Sequence, residues 1–350
     1  MSNEAENKTK EHFGNPLIEQ RNLASGSAVV DLGPRGIITV SGPDRLAWLH
    51  SLLSQNLKNL LPGDSAEALL LDPNGHIEQV IHFLDDGENS WLVIEAAGRE
   101  SFLAWLNKMI FRMKVEVADR SDDFAVLGHI GSGISKAHSS NGVALIWQDP
   151  WPGVVTGGVR YSMARPAKWA WTESLIEVSK LDEVLAGYEK AGTLAYDALR
   201  IEAHRPRQLT EVDAKALPHE FDWMSTAVHM SKGCYRGQET VAKVHNLGHP
   251  PRRLTFLHLD GSGHFLPSTG DEIFVAGEDR VRGHVTIAAQ HHESGPIALA
   301  LLSRSVPEDA QLIVRGENGE IDANQEVIVP ASAGKAADIP KRNLLMGGKH

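Results

Sequence analysis

The one cysteine of this chain, Cys234, sits in the run Lys232-Gly233-Cys234-Tyr235-Arg236-Gly237-Gln238-Glu239. Its neighbours are glycines, cations and hydrogen-bonding side chains, whereas a structural cysteine usually has apolar surroundings. Lys232 and Arg236 stand two residues either side of the sulfur, and nearby cations favour a thiolate. The turn is expected to deliver a helix starting at about Gly237, with Gln238 and Glu239 in its first turn, where a carboxylate complements the helix dipole. A sulfur just before such a start meets unpaired amides. A thiolate there can ligate a metal ion or enter a mixed disulfide.

Between Lys232 and Arg253 five cations face Glu239 alone. That balance is equally compatible with a solvated face and with a pocket for an anionic ligand such as a polycarboxylate. A second charged group is Arg200-Ile201-Glu202-Ala203-His204-Arg205-Pro206-Arg207. By its residues alone it is a charged helix end closed by proline, although a carboxylate there can also grip a bicyclic amino-pyrimidinone by two parallel hydrogen bonds. Other signals fail. Gly128 and Gly133 have phosphate-loop spacing, but Ile134-Ser135 replaces the required Lys-Ser/Thr. His245 and His249 are four apart without a nearby carboxylate pair, so no metal is assigned. A Cys234/His/Asp triad would need distant partners, and no local pattern supports one.

These residues need a scaffold. Strand-like runs at Ala28–Leu32 and Gly36–Val40 precede a helix opened by Ser41-Gly42-Pro43-Asp44, with Leu46, Trp48, Leu49, Leu52, Leu53 and Leu57 on one face. Asp72-Pro73-Asn74-Gly75 joins Ala66–Leu71 to His76–Leu84 as a hairpin. Trp91–Glu95, Lys114–Ala118, Phe124–Ile130, Val143–Trp147 and Gly158–Met163 are expected strands; Arg99–Phe111, Leu181–Lys190 and Leu194–His204 are expected helices. Strict alternation is missing, which favours an α+β fold. From about residue 251, short apolar runs (Leu254–Leu259, Glu272–Ala276, Val281–Ala288, Ile297–Leu302, Gln311–Val314) suggest a small all-β barrel or sandwich. The expected division is a flexible segment at 1–26, a body at 27–250 made of two α/β subdomains, a barrel at 251–331 and a flexible tail at 332–350.

Hydrophobic content of 42% and charged content of 23% are those of a soluble globular protein. A net charge of -11 does not suit a protein that coats nucleic acid. The acidic N-terminus lacks an apolar targeting core, and no run is long enough to span a membrane. One cysteine leaves no intramolecular disulfide, in keeping with a reducing compartment. The expectation is a cytoplasmic protein with no membrane partner.

Lys232–Glu239, with Thr240-Val241-Ala242-Lys243, closely resembles the K-G-C-Y-x-G-Q-E motif of the YgfZ family. Those folate-binding proteins are related to the aminomethyltransferase (T-protein) of the glycine cleavage system. Val40-Ser41-Gly42-Pro43-Asp44-Arg45, Leu199-Arg200-Ile201-Glu202, Leu217-Pro218-His219-Glu220 and Gly283-His284-Val285-Thr286 resemble further family segments. The likeness covers about residues 28–330. It implies α/β subdomains around a central opening, a C-terminal Greek-key barrel and a bound tetrahydrofolate or one-carbon derivative. It also implies a role in assembling or repairing iron–sulfur clusters with iron–sulfur proteins or cluster carriers as transient partners, and an indirect effect on tRNA modification. By the same resemblance Glu202 matches the carboxylate that holds the pterin ring, and Cys234 and Lys232 match the residues on which activity depends. Arg200, Tyr235, Gln238 and Glu239 are the further candidates for cofactor contact. Where the aminomethyltransferase carries a catalytic aspartate pair, this chain has Glu78-Gln79. Glu78 is a methylene longer and Gln79 cannot ionise. Folate binding is therefore expected to survive and aminomethyl transfer to be lost; the alternative, a folate-dependent one-carbon transferase, would need Glu78 as its working carboxylate. Ser54-Gln55-Asn56 also departs from the usual Thr-Asn-Asp, and His204 stands where a glycine is usual.

Overall fold

The structure is a computed structural model, and it describes residues 9–162 and 169–336. A first antiparallel sheet has the spatial order Ser65–Leu71, Ile77–Asp85, Asn89–Glu95, Arg35–Ser41, Glu116–Asp119. Strand alternation divides its side chains between two faces. Ile38, Val40, Ile81, Phe83, Leu92 and Ile94 meet Trp48, Leu49 and Leu52 of the helix Arg45–Leu52 and Phe102 and Leu106 of the helix Arg99–Met109. Ile37, Leu69, Leu71, Val80, Trp91 and Val93 face the other way, into a core shared with the second sheet.

The second sheet is mixed, in the order Ile146–Gln148, Trp171–Glu177, Phe124–Ile130, Ala28–Asp31, Glu189–Ala191, and only the last pair is parallel. A closed six-stranded barrel follows: Arg252–Leu259, Gly295–Ser303, Val281–His291, Glu272–Val275, Leu312–Gly316 and Gly319–Val327, which pairs back with the first. The first strand thus neighbours the fourth and the sixth, a Greek-key crossover. The fold is α+β. Barrel and body are joined by Arg252 to Glu220 and Asp213, and by a hydrogen bond from Thr286 Oγ1 to Glu211 Oε1 at 2.9 Å.

Several expectations are corrected. The supposedly flexible first 26 residues contain the helix Pro16–Ala24, capped by Asn15, whose Oδ1 accepts from Leu17 N at 3.0 Å. Glu19 is buried because it accepts amide hydrogen bonds from Phe13 at 2.8 Å and Gly192 at 2.9 Å. Pattern reading places a strand at Gly158–Met163. Residues 158–162 are irregular, tied down by isolated bonds such as Val159 N to Met224 O and Tyr161 N to Asp222 Oδ1, and Met163 lies outside the described residues. The helix expected at Leu181–Lys190 stops at Leu185 and a strand takes up Glu189–Ala191. Of the expected tail, Ala333 is buried and Ala336 N bonds to His245 O; residues 337–350 lie outside the described residues. Among the described residues no helix is long and apolar enough to cross a membrane.

Candidate functional site

The helix Gln238–Leu247 is preceded by Gly237, which has φ +80° and lies against the hairpin turn. A Cβ there would fall 2.5 Å from the Asp72 carbonyl oxygen, and one on Gly75 (φ +81°) would fall 3.0 Å from Thr240 Cβ. Two glycines thus let the turn and the cysteine loop touch backbone to backbone. Gln238 Oε1 accepts from Tyr235 N at 3.3 Å, which fixes the entry to the helix. Tyr235 is buried, its ring centroid 5.0 Å from Lys232 Nζ. Lys232 Nζ donates to the carbonyls of His50, Leu53 and Gln55, the last at 3.1 Å. The first two belong to the C-terminal end of Arg45–Leu52, where carbonyls lack intrahelical partners. Cys234, between these anchors, is exposed, as is Glu239.

The flanking cations do not serve the sulfur as their spacing suggests. Lys232 is committed to three carbonyls. Arg236 makes two hydrogen bonds to Glu78, at 2.8 and 3.1 Å, and its guanidinium sits 6.0 Å from the Trp105 ring. Burial pulls the Lys232 ammonium down to about 8; the three carbonyl acceptors oppose that shift and hold its proton. The pairing with Arg236 also decides the fate of Glu78, which is held at the surface beside the cysteine loop. Its neighbour Gln79 is buried and donates to Gln208 Oε1 at 2.8 Å. No acid of the Glu78-Gln79 pair enters the interior.

Sequence reasoning missed the polar interior between the two sheets. Arg35, Glu67, His82 and Glu95 from the first sheet meet Trp147, Asp149, Trp171 and Glu173 from the second, with Tyr196, Arg205 and Arg207 closing the space. Arg205 bridges Glu67 at 2.6 Å and Asp149 at 2.9 Å, and Glu67 also accepts from Trp223 Nε1 and Thr226 Oγ1. His82 stacks on Trp147, centroids 3.7 Å apart, and its Nδ1 lies 2.8 Å from Glu173. Burial opposes ionisation of Glu95, yet Arg35 and Arg207 hold its carboxyl at about 2; Glu173 is likewise held at about 2 against burial, chiefly by His82. Burial, against the pull of the neighbouring arginines, raises the Tyr196 phenol to about 12. Arg205 Nη1 and Arg35 Nε are buried without a hydrogen-bond partner among the described residues. A signal existed: Glu67, His82 and Glu173 are charged or polar residues inside apolar strand runs.

Glu202 lies elsewhere. It ends the helix Thr193–Glu202 and borders a groove of about 510 Å³ with Arg21, Trp169, Leu199 and His292. Its Oε2 is 3.3 Å from His291 Nε2, and that contact holds the carboxyl below the usual carboxylate range. Arg200 is not available as a cofactor contact: it is wholly buried, donating to Asp197, Glu211, Thr210 and the Arg205 carbonyl. Spacing explains this, since residues two apart on a helix point different ways. His204 has φ +56°, which supplies the reason a glycine suits that position.

The folate implied by the resemblance can be tested against both spaces. The interior between the sheets offers orphaned donors, carboxylates and aromatic faces, but its free volume is about 30 Å³, room for roughly one water. Its carboxylates are also already paired. The Glu202 groove has the volume for a bicyclic ring, an ionised carboxylate at its edge and an apolar wall. The fit is to the groove. It shares no lining residue with the cysteine loop, so the structure separates Glu202 from Lys232, Cys234, Tyr235, Gln238 and Glu239.

The GCVT N-terminal domain family matches residues 8–133. An aminomethyltransferase of Geobacillus thermodenitrificans is 26% identical over 87% of this chain and 87% of its own. The tRNA-modifying protein YgfZ of Pectobacterium carotovorum is 24% identical over 90% of this chain and 94% of its own. A mitochondrial homologue of the iron-sulfur cluster assembly factor IBA57 from Mycosarcoma maydis is 25% identical over 72% of this chain and 62% of its own. The crystal structure of the glycine cleavage system aminomethyltransferase T from Bartonella henselae superposes with a TM-score of 0.71, covering 91% of this chain and 89% of that one at 18% identity. By its fold the chain is similar to a glycine-cleavage aminomethyltransferase, and in sequence it is similar both to the aminomethyltransferases and to YgfZ.

Proposed function

We propose that this chain is a tetrahydrofolate-binding accessory protein for iron–sulfur cluster assembly or repair in the cytoplasm, with an indirect effect on tRNA modification. The observation that carries the thiol half is the loop itself: Lys232, Tyr235, Gly237 and Gln238 are each pinned, while Cys234 between them is exposed. A buried anchor under an exposed sulfur suits a ligand offered to a partner. In the handover the Cys234 sulfur forms a bond to a cluster iron as a donor's thiolate–iron bond breaks, and no electron changes hands. One thiolate cannot supply the ligands a cluster normally takes, so the cargo is shared throughout with a partner or a small thiol. A bound folate supplies one-carbon carrier chemistry; on this chain Glu202 would accept from its amino-pyrimidinone edge and Leu199 would wall the groove.

Two measurements test the proposal. Cys234→Ala is expected to abolish rescue of cluster-enzyme activity in a deletion strain, and full rescue would remove the thiol role. Calorimetry with tetrahydrofolate is expected to show binding that Glu202→Ala weakens; no heat of binding would remove the folate half.

A further inference from the structure

The helix Arg99–Met109 ends in a way its packing does not require. Ile110 closes it and Phe111 follows in the left-handed region, φ +50°, the position at which helices usually place glycine. The Phe111 side chain is 93% exposed and Met109 beside it is 38% exposed. A phenylalanine here pays backbone strain and buries nothing, so the fold gives no reason for it. Residues 105–115 hold three cations, Lys108, Arg112 and Lys114, and no acid, within a chain of net charge -11. All three are exposed, and among the described residues none is in an ion pair.

The helix that carries this tip lies beside the cysteine loop. Arg236, two residues from Cys234, stacks near Trp105 of the same helix. Trp48 Nε1 donates to the Met109 carbonyl at 3.1 Å, and Trp48 belongs to the helix whose end Lys232 grips. One rigid body therefore carries an exposed aromatic ring, unpaired cations and an exposed thiol.

We propose that the Lys108–Lys114 tip is the docking surface for an acidic, cysteine-bearing protein that exchanges iron–sulfur cargo at Cys234. The inference rests on the cluster-handover reading of that thiol. Exposed apolar anchors ringed by charge are what protein interfaces use for affinity and for steering. Anionic lipid is the other surface such a tip could meet, but it would have no use for the exposed thiol on the same body, which a cysteine-bearing protein would.

A photoreactive benzophenone analogue of phenylalanine placed at position 111 of the full-length protein, and irradiated in cells, tests this. The expected product is an adduct with an acidic protein that contains cysteine. Its yield should fall by about tenfold or more when Lys108, Arg112 and Lys114 are all replaced by Glu. The same probe at exposed Val178 should give none of that adduct. No protein adduct, a lipid or nucleic-acid adduct in its place, or a yield indifferent to the charge reversal would overturn the proposal. Every altered side chain is exposed, and circular dichroism verifies folding. Cys234→Ala separates the two readings. Loss of cluster-enzyme activity with the adduct retained supports both, whereas full activity removes the handover and with it the cargo assigned to this surface.

Discussion

Replacing Lys232 with Met keeps the stem and removes the ammonium. Three carbonyls, of His50, Leu53 and Gln55, then lose their shared donor. A hydrogen bond to a charged group contributes about 1.5–3 kcal/mol, but bonds sharing one donor do not add fully. The apolar methionine tip also offsets part of the loss. The net expectation is about 3 kcal/mol, concentrated where the lysine ties Ser231–Gly237 to the end of Arg45–Leu52. Because the chain has several packed units, a single unfolding transition is a poor readout. Amide hydrogen exchange resolves the effect: a local opening easier by about 3 kcal/mol speeds exchange by about two orders of magnitude. That acceleration should appear at the loop and the last turn of the helix, with the barrel strands unchanged. Lys232→Arg should lie between, since a planar fork does not converge on three carbonyls. Unchanged exchange in the Met variant together with lost function would refute the staple and return Lys232 to a chemical role.

Gly237→Ala should destabilise by about 2–3 kcal/mol, through a left-handed φ and a Cβ 2.5 Å from the Asp72 oxygen. Gly233→Ala, with nothing within 4 Å, should be neutral in the same denaturation series. Acid sensitivity should come in two steps. His219 is buried and burial lowers it to about 4, so the unfolded chain binds the extra proton and stability falls as pH drops from 6.5 towards 4. Glu95 and Glu173, held at about 2, add losses only below about 4.5; His219→Gln should flatten the first step in a pH series of melting curves and leave the second. Phe111→Gly should raise stability by about 1 kcal/mol by relieving the left-handed strain, measured by denaturant titration.

What the sequence disclosed and what it hid follow from the range of the interactions. Asn-Gly in Asp72–Gly75 and the short apolar runs behind Glu272–Val275 and Gly295–Ser303 are local, and the elements stand within a few residues of where the pattern puts them. The strand that closes the barrel, Gly319–Val327, went unread because only alternate residues such as Ile321 and Ala323 are buried and the rest are polar. The helix Pro16–Ala24 looked like a polar lead segment because its burial depends on Gly192, some 170 residues away. The site shows the same division. Lys232 could be singled out by spacing, but its partners come from residues 50–55, so its role as a clamp was invisible. Arg200 carried a motif match and turned out to be saturated by Asp197, Glu211 and Thr210.

Glu202 and Cys234 are set apart, yet buried hydrogen bonds link Arg205, close in sequence to the one, with Lys232, close in sequence to the other. Arg205, three residues beyond Glu202, holds Glu67 and Asp149. Glu67 in turn accepts from Thr226 Oγ1, whose carbonyl takes Gln55 Nε2 at 2.9 Å, and the Gln55 carbonyl is one of the three on Lys232. Rigid connection alone transmits nothing; coupling needs an element with two arrangements. Within this run the group with something to gain from a second arrangement is Arg205, because its Nη1 is buried with no acceptor among the described residues while its other nitrogens hold carboxylates. An acceptor reaching Nη1 would compete for the same guanidinium that fixes Glu67, and Glu67 fixes the stretch leading to the thiol loop. A test for coupling between a ligand near Glu202 and the reactivity of Cys234 therefore belongs at Arg205: Arg205→Lys should change Cys234 alkylation rates with ligand if the two sites communicate through it, and an unchanged ligand effect would refute that route.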